Sequence, residues 1–163
     1  MAGRFAAPGE WTEINSIVEG HFMERTVSGA FDKTLKERAD KLRVLYHHGM
    51  DPFFGFTPLG PIRSLNNDTE YEVELVVDEF NKRLLPLLEA GQLGSSYRFD
   101  TIKEDVNLSP MRSDWNPDRI PEVTLTEVRV KEFGPTPIPA YAGATAGLRS
   151  ATDVFLLASL HSD

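Results

Sequence analysis

The stretch TEYEVELVVDEFNKRLLPLLEAGQLGSSYRFDTI, residues 69–102, decides the fold class. Its opening alternates, with Tyr71, Val73 and Leu75 on one side and Glu70, Glu72 and Glu74 on the other, the period-two pattern of a half-buried strand. Asp78 then stands where a helix N-cap is wanted, ahead of EFNKRLLPLLEA, whose Phe80, Leu84, Leu87 and Leu88 share one helical face. Pro86 within this helix predicts a bend or a split, and Gly91 predicts its end. GSSYRFDTI resumes as a strand, with Tyr97 and Phe99 facing one way and Ser96 and Arg98 the other.

Outward from this unit the pattern stays strand-rich. Upstream, WTEINSIVE reads as a short strand ending in a loop at Gly20. SGAFDKTLKERAD, residues 28–40, reads as a helix capped by Ser28, with Phe31 and Leu35 one turn apart. KLRVLYHH, residues 41–48, reads as a strand that delivers His48 to a Gly-Met-Asp-Pro turn. Downstream, Lys103 to Pro121 is polar and turn-rich and predicts a long surface loop, a substrate lid or a mobile insert. VTLTEVRVKEF, residues 123–133, is a strand whose alternation slips: Val123 and Leu125 share a face with Glu127, and Val128 and Val130 lie opposite. Either both faces are partly buried or a bulge sits near Glu127.

With strands outnumbering helices, the expected class is α+β, mostly β: a small closed or curled β-barrel flanked by helices. One domain over residues 1–150 accounts for most of the chain. The apolar run Val154 to Leu160 in the remaining segment, 151–163, predicts a helix or tail buried on that domain or at a homodimer interface.

Composition excludes several function classes. The chain of 163 residues carries a net charge of −8 and no lysine or arginine block, which argues against direct binding to nucleic-acid phosphates. It has no cysteine, so disulfides and thiolate chemistry are excluded. No run reaches the length of a membrane span, and MAGRFAAPGEW lacks the apolar core of a secretory signal. A protein that remains in the cell that makes it is the expectation.

Three residue types carry candidate chemistry. Ser96 follows Gly94 and Ser95 at the start of a strand, where small residues leave room for a substrate backbone and for amides facing an oxyanion. A serine pair at that place serves a tight turn equally well, and spacing does not choose between Ser95 and Ser96. His48 is a candidate general base, yet a histidine at a strand end is commonly a surface or packing residue. His47 beside it is a second candidate, and alternation sends the two to opposite faces. Asp51 lies near enough for a metal reading, but neighbouring strand positions do not converge on one ion and no HxH or HExxH spacing is present; no cofactor or metal is expected. Glu127 interrupts an apolar face, and a half-buried carboxylate needs a partner, for which a histidine is well suited.

Taken together, the segments resemble the caudovirus prohead proteases over roughly Arg4 to Ser150. GHFMERTVSGAF resembles the N-terminal block, a strand leading into a helix that begins Gly-Ala-Phe. VLYHHGMDP followed by TPLG resembles the block with the catalytic histidine directly before glycine, a register that selects His48. EAGQLGSSYRF resembles the Gly-x-Ser-aromatic block of the nucleophile and selects Ser96. TLTEVRVKEFGPTPIPAYAGA resembles the closing strand and its Pro-Ala turn. The resemblance implies a fold similar to the herpesvirus assemblins, a barrel surrounded by helices. In assemblins the third catalytic member is a histidine heading a strand that Glu127 heads here, so the orienting role falls on Glu127. Arg129 departs from the serine common in the family. Many members also carry a longer C-terminal tail, so a truncated or processed form is the expectation here.

What the resemblance implies is a serine endopeptidase in the host cytoplasm, inside the immature capsid. It would remove the scaffold segment of the major capsid protein, or a separate scaffold protein, and its own terminus. Ser96 would attack, His48 would accept the proton, Glu127 would orient the imidazole, and amides near Gly134 or in the Pro-Ala turn would hold the oxyanion. The competing expectation is a catalytically inactive capsid-assembly or scaffold protein that keeps the protease fold. An α/β-hydrolase is disfavoured because Gly94-Ser95-Ser96-Tyr97-Arg98 lacks the closing glycine of Gly-x-Ser-x-Gly.

Overall fold

The computed structural model describes residues 1–139 and the backbone of 145–147. The apolar run Val154 to Leu160, and with it the expected docked tail, lies outside the described residues. Among the described residues eight strands form one sheet: β1 (Ala2–Arg4), β2 (Thr12–Ser16), β3 (Gly20–Thr26), β4 (Ile62–Leu65), β5 (Glu70–Val73), β6 (Gly94–Asn107), β7 (Glu122–Thr136) and β8 (Thr145–Gly147). Their order is β2-β3-β7-β6-β8-β1-β5-β4. All neighbours are antiparallel except β3 and β7, which run parallel. Among the described residues two α-helices, α1 (Asp32–Arg38) and α2 (Glu79–Glu89), join the strands in a mostly-β α+β fold. Among the described residues the strand order has two ends and no pairing joins β2 to β4, so the closed barrel is not found.

Local sequence explains most of these elements. Tyr71, Val73 and Leu75 are all buried, as their alternation requires. The Asp78 side chain accepts a hydrogen bond from the Asn81 amide at 2.8 Å, a helix N-cap that removes one orphan donor of α2. Pro86 does not split α2. It sits in the last turn, and the helix runs on to Glu89. The buried face is Leu84, Leu85 and Leu88, one position round from the expected stripe, so Phe80 and Leu87 remain partly exposed. Helix α1 begins only at Asp32, directly after Gly29-Ala30-Phe31, and its N-cap position is Phe31 rather than Ser28.

The long β6–β7 ribbon departs furthest from expectation. Strand β6 runs on to Asn107, so the loop begins there rather than at Lys103. That loop is tied down. Trp115 stacks on Trp11 at 6.1 Å, with the Arg25 guanidinium 4.4 Å from the Trp11 ring. Buried Asn116 donates to the Ile120 carbonyl at 2.8 Å and accepts from the Ile120 amide at 3.0 Å.

The core sits on the opposite face of the ribbon from the site described below. Phe5 stacks on Phe133 at 4.5 Å, meets Phe31 edge-on at 5.7 Å and lies 5.3 Å from Tyr97. Each fully buried phenylalanine contributes roughly 1.5–3 kcal/mol of transfer free energy, and these rings hold the end of β1 and the start of β6 against the end of β7. No helix among the described residues is long and apolar enough to cross a membrane.

Candidate active site

Two adjacent serines open β6, and the pleat separates them. Ser95 is fully buried, and its hydroxyl shares a 2.6 Å hydrogen bond with the Tyr71 hydroxyl in the core. Burial holds the Tyr71 phenol far above its ordinary ionisation range, with the Ser95 hydrogen bond opposing, so Tyr71 stays protonated. Ser96 therefore points to the other face, and it is 8% exposed there. Its register partner on β7 is Gly134, and two residues on Arg98 faces Glu132. Ser96, Arg98, Glu132 and Gly134 thus share one face of the ribbon.

Glu132 reaches that face because of a bulge. Val128 and Val130 belong to the core, and strict alternation would send Glu132 after them. Between the pairs Arg98↔Glu132 and Phe99↔Val130, however, β7 carries one extra residue, Lys131. The extra residue reverses the facing, so that Phe133 enters the core and Glu132 turns to the Ser96 side. Bulges beside a site of chemistry re-aim a side chain in just this way.

His48 does not end a strand. Of the segment expected as one, Val44 makes a single parallel bridge to Phe133, and residues Tyr46–Gly49 form tight 3₁₀-type turns. His47 and His48 both adopt left-handed backbone angles, φ 48° and 57°. Such angles are uncommon for residues with a side chain and cost about 1–3 kcal/mol each. The surroundings hold them there. The Leu45 amide donates to the Phe133 carbonyl at 2.9 Å, and His47 Nδ1 bonds Thr136 Oγ1 at 2.8 Å. His48 Nδ1 makes a very short contact with Glu132 Oε1, both side chains being largely buried. The two histidines of one strained turn are thereby fixed to two positions near the end of β7.

Gly134 is what lets this turn approach. A Cβ built on Gly134 would lie 2.0 Å from the Leu45 carbonyl oxygen, a backbone atom that cannot swing away. Gly134→Ala is expected to lower stability by about 2–3 kcal/mol and to loosen the His48 turn; chemical denaturation measures the first and the His48 NMR line width the second.

Glu127 lies elsewhere. Its carboxylate is 4.0 Å from Lys33 Nζ and 3.7 Å from Lys103 Nζ, and among the described residues no hydrogen bond or ion pair joins it to His48. The slip in alternation around it is real. The register shifts on both sides of the Lys103↔Glu127 pair, which leaves Leu125 and Val128 both in the core and turns Glu127 outward. Sequence reasoning did not single out Glu132, the carboxylate that meets His48; the sequence itself offers only its place two residues before Gly134, because the burial of its neighbours is visible in the structure alone.

His48, Arg98 and Phe99 line a groove of about 560 Å³ between β6 and the β2–β3 hairpin. The Pro139–Ala140 turn, one candidate for oxyanion amides, extends outside the described residues. No group of three or more histidine, aspartate or glutamate side chains able to hold a metal occurs among the described residues.

No curated protein and no solved structure matches the chain. The model of the caudovirus prohead serine proteases matches residues 9–154, which is most of the sequence. On that match the chain belongs to the caudovirus prohead serine protease family.

Proposed function

We propose that the protein is a serine endopeptidase of capsid maturation in which Ser96 is the nucleophile, His48 the general base and Glu132 the group that orients His48. The observation that carries this reading is the His48–Glu132 contact on the face that Ser96 shares. Glu132 and Ser96 are diagonal neighbours across β6 and β7, a relation that separates Cβ atoms by roughly 7–8 Å. An imidazole with one hydrogen bond at each ring nitrogen bridges such a gap. With Nδ1 engaged by Glu132, Nε2 is the nitrogen left for the serine proton. One oxygen of Glu132 is buried with no hydrogen-bond partner among the described residues, an arrangement costly for stability alone. A carboxylate facing the imidazolium that forms during acyl transfer gives that cost a purpose.

In the reaction, the Ser96 hydroxyl attacks the scissile carbonyl as His48 takes its proton. The tetrahedral intermediate collapses to the acyl-enzyme while His48 returns the proton to the departing amine. Water, deprotonated by His48, then releases the acid and restores Ser96. The substrate is the scaffold segment of the major capsid protein or a separate scaffold protein, cut inside the immature capsid; removal of the enzyme's own terminus belongs to the same reading.

Co-expression with the capsid protein of the same virus tests this by intact mass. A discrete loss of mass from the capsid protein with the wild-type chain, absent with Ser96→Ala, is the expected result. Unprocessed capsid protein in both samples, with shells assembled, would move the assignment to a noncatalytic assembly protein.

A further inference from the structure

A second pocket, of about 420 Å³, lies between α1 and the β6–β7 ribbon. Thr34 holds the helix there: its hydroxyl donates to the Val128 carbonyl at 3.0 Å and accepts from the Val130 amide at 3.1 Å. Arg38, Lys41 and Arg129 line this pocket, and none of them makes an ion pair or side-chain hydrogen bond with a described residue. Arg129 has Asp100 as its register partner on β6, but Asp100 pairs with Lys131 Nζ at 3.0 Å instead. Arg38 is half-buried, and its Nε is shut off from water with no hydrogen-bond partner among the described residues. A guanidinium that has lost part of its hydration and gained no anion is costly. The carboxylates at the pocket do not offset that cost: Glu127 lies between Lys33 and Lys103, and exposed Glu37 makes no ion pair with a described residue.

We infer that this pocket binds a side-chain carboxylate of an acidic peptide segment, with Arg38 and Arg129 as its main partners. Guanidinium forks match the planar, two-oxygen geometry of a carboxylate, and an anion in the pocket compensates the partly desolvated Arg38. Half-exposed Ile102 beside these cations gives the methylenes of a glutamate a surface to pack on. A nucleic-acid backbone fits less well, since its closely spaced phosphates would meet Glu37, Glu127 and a chain of net charge −8. The pocket is separate from the site of chemistry. Ile102 stands well along β6 from Ser96, about 20 Å at the rise of a strand, so the inference stands apart from the protease reading.

Fluorescent peptides identical except for glutamate or glutamine are titrated into the full chain at low ionic strength. Glutamate peptides are expected to bind about tenfold tighter, and added salt is expected to narrow the difference, because the cations are at least partly exposed. Arg38→Gln with Arg129→Gln is expected to erase most of the preference. Lys82→Gln with Arg112→Gln changes net charge equally, away from the pocket, and is expected to preserve it. Arg129→Gln alone, at an exposed strand position, is expected to weaken glutamate-peptide binding about threefold and carries the test if the Arg38 variant does not fold. Ser96→Ala is expected to bind as the wild type does. Equal affinity for the two peptides, equal losses from the two pairs, or loss of binding with Ser96→Ala would overturn the inference. Displacement of the glutamate peptide by inorganic phosphate or a single-stranded oligonucleotide at lower concentration than by its unlabelled form would overturn the carboxylate assignment.

Discussion

Ser96→Ala is expected to reduce cleavage of the capsid protein by at least about 10⁴-fold while leaving the thermal transition nearly unchanged. The hydroxyl is the bond-forming atom in the proposed reaction, and no other hydroxyl on that face of the ribbon stands diagonal to Glu132. Ser95→Ala is the opposite case. It removes the 2.6 Å hydrogen bond to Tyr71 and leaves a phenol buried without that partner, which is expected to cost about 1–3 kcal/mol. Its activity, measured well below its melting temperature, is expected to stay within about tenfold of wild type. Initial rates and melting curves on the two variants decide the matter together. A Ser95 variant that is stable and inactive, beside an active Ser96 variant, would invert the assignment.

Glu132→Gln carries the second-largest expected effect, a fall in kcat of roughly two to four orders of magnitude. The amide is nearly isosteric, so the turn keeps its place, but it cannot stabilise the imidazolium and can present His48 with the wrong hydrogen-bond partner. KM is expected to move little, because Glu132 is buried behind the histidine rather than in the groove. Glu127→Gln is expected to leave kcat within about twofold, since its partners are the exposed Lys33 and Lys103. The histidine ring resonances add a readout that a purely structural role would not move: Glu132→Gln should shift the Nδ1 environment of His48, and Glu127→Gln should not. Equal losses in kcat for the two variants would return the orienting role to Glu127.

The placement of Glu127 away from His48 has a specific cause. Reading β7 as a simple alternation makes Glu127 the carboxylate that breaks an apolar face and makes Glu132 a companion of Val128 and Val130. Irregularities at Lys103 and at Lys131 undo both conclusions. A bulge adds one residue to one strand only, and which strand takes it depends on the partner's register, information that no single strand carries. His48 is a comparable case. VLYHH has strand composition, but the turn is left-handed at both histidines, a state held by Thr136, Glu132 and the Phe133 carbonyl across the chain.

Elsewhere the local pattern was sufficient. The alternation of Tyr71, Val73 and Leu75, the Asp78 cap and the opposite facing of Ser96 and Tyr97 are all decided by periods and hydrogen bonds within a few residues. The family blocks, too, are contiguous in sequence and could be matched without a fold. By itself, then, the sequence determined the mostly-β class, the family and the serine and histidine worth testing. Only the tertiary structure decided which carboxylate meets His48, because facing after a bulge is set by pairing between strands rather than by the order of residues in one.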